Sequence, residues 1–208
     1  MVKLFLKAKH WQIFLAFFGL PFIMNIVMTY QMALEFQNGE PANAIVKAMS
    51  YILPVIGISV FTLLGWIWSM AIGLQSKVPA NISMKVKKFK FFFFFPFIYI
   101  GLFLVVFALI MGGVFDGASQ NIDDSWIIMY MLIVLPVHLF SMFCMLYTIY
   151  FVAKTIRTIE IQMPAKFSEF VGEFFLLWFF PIGVWIIQPR VNKIVGSSEL
   201  SVVSNEVN

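Results

Sequence analysis

Five apolar stretches, at about 11–32, 50–74, 91–113, 126–152 and 170–187, leave this chain few places to fold other than a membrane. A helix needs about 20 apolar residues to cross a hydrocarbon core of about 30 Å, and the first four stretches reach that length. Within lipid, every backbone N–H and C=O must be satisfied inside the segment. Long runs without strand alternation therefore predict helices, not a barrel. The rest of the composition agrees. Of 208 residues 62% are apolar, 26 are Phe and only 12% are charged, against about 25% in soluble domains. That excludes a disordered chain, a disulfide scaffold and an ordinary soluble enzyme. With Cys144 as the single cysteine, no intramolecular disulfide can form. The expected fold is an all-α integral membrane protein, with four transmembrane helices and a short, Pro/Gly-kinked fifth apolar segment.

Charge placement predicts the topology. A net charge of +4 on a soluble protein would suggest nucleic acid, but here the cations flank apolar segments, and no nucleic-acid partner is expected. Lys3, Lys7 and Lys9 precede the first stretch. Five lysines crowd residues 75–90, and Lys154, Arg157 and Lys166 lie between the fourth and fifth stretches. The two intervening connections hold only Lys47. The positive-inside rule then predicts a cytoplasmic N-terminus in a plasma or inner membrane. Glu35, Glu40, Asp116, Asp123 and Asp124 fall on the opposite side. The start resembles the basic region of a signal peptide. Its apolar part is too long for one, however, and no A-x-A site follows, so a retained first helix is expected, mildly bent at Pro21.

Three regions follow: a four-helix bundle with short loops over 1–167, a kinked membrane segment over 168–190, and a polar, mobile tail over 191–208. The fourth helix is expected to extend as an amphipathic piece to about Glu160. The fifth stretch is the ambiguous one. Phe174–Ile187 holds 14 uninterrupted apolar residues broken by Pro181 and Gly183, covering about 21 Å. A full span would also carry Arg190 and Lys193 outward, against the charge rule. The expectation is a re-entrant dip with a cytoplasmic tail, and a short fifth span is the alternative.

Small residues mark candidate helix-packing sites. Gly65, Ser69 and Gly73 line one face, and Ala108 and Gly112 form a shorter version on the third helix. Such faces let membrane helices approach closely where no hydrophobic force drives them together. Ala16 and Gly19 of the first helix match Gly65 and Ser69 in depth and are the expected partners, with a homodimer face as the alternative. A second candidate is a polar membrane site. His138 lies about 18 Å from the outer end of its helix, with Ser141 on its face. Thr62 is the suggested partner at matching depth, and Asn25 lies nearer the outside. Polar groups at mid-bilayer suggest a proton relay or substrate contact, or else a structural hydrogen bond. Glu169 and Glu173 follow an expected cap at Ser168. Glu173 is counted with the polar candidates because it stands at the membrane entrance.

The stripe Met24, Met28 and Met32, with Met142, Met145 and Cys144, offers soft ligands, but no Met- or His-rich loop stands ready to capture a metal. No metal or cofactor is expected. The sequence holds no H-E-x-x-H, P-loop, G-x-G-x-x-G or nucleophile elbow, and no acid is placed to orient His138. The chain is therefore expected to be a non-enzymatic subunit, scaffold or regulator that acts through helix packing, in contact with the bilayer and with a second copy or another membrane protein. A transporter or channel subunit with a polar path near His138 is the alternative, and a membrane-embedded enzyme ranks third.

Overall fold

The computed structural model describes residues 1–39, 41–111 and 124–206. It is all-helical, with no strand among the described residues. A short α1 (Val2–Lys7) precedes a rod made of α2 (His10–Phe14), a π-helical turn (Leu15–Gly19) and α3 (Leu20–Gln37). Then come α4 (Pro41–Gly73), α5 (Val86–Met111), α6 (Asp124–Ile161), α7 (Phe167–Trp178) and α8 (Phe180–Glu206). Among the described residues, three helices are long and apolar enough to cross a membrane: His10–Gln37, Ser50–Lys77 and Leu132–Ile161.

The chain divides into two compact units, residues 1–83 with 152–208, and residues 84–151. In the second unit α5 and the first part of α6 run antiparallel, held by an aromatic ladder. Phe89 stacks on Phe151 at 4.9 Å, Phe92 meets Tyr147 at 4.5 Å, and Phe95 meets Phe140 edge-on at 4.8 Å. All five rings of the Phe91–Phe95 run thus meet other rings in their own unit, although Phe91 and Phe94 are exposed.

In the first unit, Pro21 does more than bend its helix. It has no N–H for the carbonyl of Phe17, four residues earlier. The π-helical turn falls just before it, and the Ser59 hydroxyl of α4 donates to Phe17 O at 3.2 Å. Irregular backbone at a proline is commonly satisfied by such a neighbouring serine. The α3–α4 turn follows Gly39, at φ 79, a value that only glycine adopts cheaply.

The fifth apolar stretch is two helices. The chain breaks at Phe179 (φ −87, ψ 62) and α8 folds back along α7. The hairpin is tight at Gly183, where a Cβ would lie 1.7 Å from the Leu176 carbonyl oxygen. The kinked segment, expected either to dip and return or to make a short span, is built as two helices joined by a turn. The expected polar tail also differs: 191–208 continues α8 as far as Glu206, and Val191 is buried. Val184, Ile187 and Val191 recur at helical spacing and share a buried face of α8.

Candidate functional site

The first unit collects the buried polar groups around Gln188. This side chain is wholly buried on α8, just before Pro189. Its Oε1 accepts from Trp66 Nε1 of α4 at 2.6 Å. An indole nitrogen only donates, so the amide has one orientation. Its Nε2 faces three acceptors, Phe5 O at 2.9 Å, Ala8 O at 2.8 Å and Asn192 Oδ1 at 2.9 Å. Asn192 Nδ2 also donates to Ala8 O at 3.2 Å. Phe5 and Ala8 lie at the C-terminal end of α1, where helix carbonyls lack internal partners. Gln188 therefore caps α1 from 180 residues away in sequence. Around it the packing is apolar and aromatic: Trp66 meets Phe180 edge-on at 5.0 Å, and Phe17 meets Phe180 at 4.3 Å.

Two residues further on, Arg190 ties three elements together. It donates from Nε and a terminal nitrogen to the two Glu160 oxygens, at 2.8 and 2.6 Å, and to Glu173 Oε1 at 2.6 Å. The fork onto Glu160 is the bidentate geometry that an ammonium cannot supply. Arg157 adds a looser contact to Glu160 at 3.5 Å. The Arg190 pKa is raised above its ordinary value, first by the bond to Glu160 and then by Glu173, against the opposing effect of burial. Glu173 is 8% exposed, and this pair supplies the compensation a buried carboxylate needs. Glu169 has a different role. It accepts from the Lys166 amide at 2.6 Å, so α7 is capped at Lys166 rather than at Ser168.

The helix-packing residues are placed differently from the expected pairing. Gly65 and Gly73 are covered by α1: added Cβ atoms would come 2.6 Å from the Phe5 ring and 2.6 Å from Leu6 Cδ1. Ser69 is buried between them, and its hydroxyl has no hydrogen-bond partner. The covering group is thus the N-terminal helix and not Ala16 and Gly19. Ala16 lines a groove with Phe61 and Thr62, and Gly19 faces Leu15 of its own helix. Phe5, Leu6 and Val2 supply the large side chains that fill the glycine face. Ala108 lies on α5, and Gly112 falls outside the described residues.

Among the polar candidates, His138 is in the second unit and exposed, with Nδ1 3.3 Å from Tyr99 Oη of α5. Within that unit its hydrogen-bond partner is Tyr99; Thr62, the suggested partner, belongs to the first unit. The two line a cavity of about 420 Å³ walled otherwise by Ile100, Phe103, Val134 and Leu135. Ser141 is buried, and Thr62 is buried in the first unit. Asn25 is exposed, and its backbone carbonyl accepts from Thr29. The structure brings Glu173 together with Arg190, and His138 together with Tyr99. Sequence reasoning missed the Gln188–Trp66 node. Its only signal was an amide directly after the run Val184–Ile187, where solvent is a poor partner.

No group of three or more metal-ligating side chains occurs among the described residues. No family model, curated protein or solved structure matches the chain.

Proposed function

We propose that this is a multi-pass membrane protein that works as a non-enzymatic subunit, scaffold or regulator through helix packing. The observation that carries the reading is that Gln188 and Arg190, two centres of the polar contacts in the first unit, are consumed by structural bonds. Gln188 caps a helix and binds an indole, and Arg190 neutralises two carboxylates. A catalytic set needs a group held ready for substrate, and this cluster offers a lock instead.

In the topology we infer, the three apolar rods and α5, whose residues 91–108 carry no charge, are four spans. The α7–α8 hairpin is re-entrant. Its apex, Trp178, Phe179 and Ile182, is exposed and apolar, while its base carries Arg190 and Glu173. A hairpin that returns puts all but Lys47 of the 14 Lys and Arg on the cytoplasmic side, and Lys47 is bonded to Glu35. The pathway reading rests on His138 and Tyr99 and on the cavity beside them; a single hydrogen bond supports it less than the polar lock supports the scaffold.

Purification from native membranes in mild detergent tests the proposal. The expected result is a defined complex with a second copy or with a different membrane protein at fixed stoichiometry. A lone monomer that conducts ions or turns over a lipid substrate after reconstitution overturns it.

A further inference from the structure

We propose that the cavity beside Tyr99 and His138 binds the ring of a membrane-dissolved quinone, with one ring carbonyl accepting a hydrogen bond from this pair. The inference rests on the membrane topology proposed above, and the site lies wholly within the second unit. Its lining comes from one turn of α5, Tyr99 to Phe103, and one turn of α6, Val134 to His138. The volume of about 420 Å³ falls within the roughly 300–1,000 Å³ usual for small-ligand sites. The phenol and the imidazole share one bond, Oη to Nδ1 at 3.3 Å. If Nδ1 carries the proton, it donates to Tyr99 and the phenol O–H is left over. If Nε2 carries it, Tyr99 donates and the Nε2–H is left over. An imidazolium leaves both. In every case the pair keeps at least one unspent donor, and among the described residues neither side chain has a second hydrogen-bond partner.

The rest of the lining, Ile100, Phe103, Val134 and Leu135, offers no side-chain acceptor. Depth then selects the ligand. His138 lies about 18 Å along α6 from Trp126 and about 24 Å from Lys154, in the interior of the bilayer. Water is scarce there, and a donor without an acceptor is costly. Phospholipids hold their phosphates and ester carbonyls at the interface, too far away to serve. A quinone carries carbonyl acceptors on an apolar ring and enters the hydrocarbon interior whole. Its flat ring suits a cavity walled by the rings of Tyr99 and Phe103. Ile100 and Leu135 are exposed at the margin, which leaves an apolar tail a way out into lipid.

The test uses the full chain in detergent micelles, with decylubiquinone as the probe. Decylbenzene is the control, since it has a ring and the same tail but no carbonyl. Decylubiquinone is expected to bind saturably and to raise the melting temperature where decylbenzene does not. The infrared carbonyl band of the bound quinone should split, with one component moved to lower frequency by the hydrogen bond. Tyr99→Phe with His138→Leu removes every donor of the pair; it should weaken binding about 10-fold and abolish the split. Leu135→Trp fills the cavity and leaves the pair intact, and it should abolish binding. Equal binding of decylbenzene, an unsplit carbonyl band, or undiminished binding in either variant overturns the proposal. Carbonate extraction separates the two readings: release of the chain from membranes sinks the topology, whereas a retained chain that does not bind the quinone sinks the quinone site alone.

Discussion

At single residues, the sharpest constraints are the ones that backbone atoms impose. Gly65 and Gly183 are both tight, but for different reasons. An added methyl at Gly65 meets the end of the Phe5 ring, which can move, whereas at Gly183 it meets the Leu176 carbonyl, which cannot. Gly183→Ala should therefore lower stability in detergent by about 3 kcal/mol or more, the upper end of the overpacking range. Gly172→Ala, with nothing within 4 Å, should be close to neutral. Thermal unfolding of the two variants side by side checks this. Gln188→Glu is a second test. It keeps the shape and an acceptor for Trp66, but removes the donor that serves Phe5 O and Ala8 O. The expected loss is about 2–3 kcal/mol, from carbonyls left unsatisfied and a charge placed beside them. Ser69→Ala should be neutral or mildly stabilising, because the hydroxyl is buried and unbonded.

Among elements, the closure of the α7–α8 hairpin onto α6 depends on Arg190. Glu173 and Arg190 are 17 residues apart, about 25 Å in a continuous helix, yet their side chains are bonded. Arg190→Met should cost about 2 kcal/mol, between the values for exposed and fully buried pairs, since it strands Glu173. Adding Glu173→Leu should recover part of that loss, and a double-mutant cycle by denaturant or thermal melt measures the coupling. Arg190→Lys should not substitute fully, because the two-oxygen fork onto Glu160 is lost. The sign of the pH dependence is also defined. A raised cation pKa contributes stability that is fully present below the unfolded value and lost only as pH rises through the folded one. For arginine both lie far above neutrality, so the guanidinium stays charged through the whole neutral range. The helix α1 is the other decisive element: it covers Gly65 and Gly73, and it is held in turn by Gln188.

For the whole molecule, the proposed topology places both termini on the cytoplasmic side. Cys144 is the single native cysteine and is buried, so a Cys144→Ser background permits labelling of one introduced cysteine at a time. Cysteines at Lys193 and at Lys166 should both react with a membrane-impermeant maleimide only from the cytoplasmic face. One at Phe179 should be protected within the bilayer. Labelling of the Lys193 position from outside would turn the hairpin into a fifth span.

Hydropathy and charge are properties of short windows, and they were legible without the fold. The three long apolar rods, the helical extension beyond Phe151 and the clustering of cations in alternate connections all follow from counting along the chain. The glycine face was also visible, because Gly65, Ser69 and Gly73 recur at helical spacing. Its partner was not. Spacing shows that something approaches closely, but many side chains of the right size lie at similar depth, and only the packed structure selects Phe5 and Leu6. The same holds for Gln188 and Trp66, which are 122 residues apart. A lone amide in an apolar run must find a partner, because leaving it unpaired in a medium without water is costly. Which partner it finds depends on where the chain turns back. That turn, at Phe179, is set by the fit of Gly183 against the Leu176 carbonyl, a contact between backbones that no count along the sequence contains.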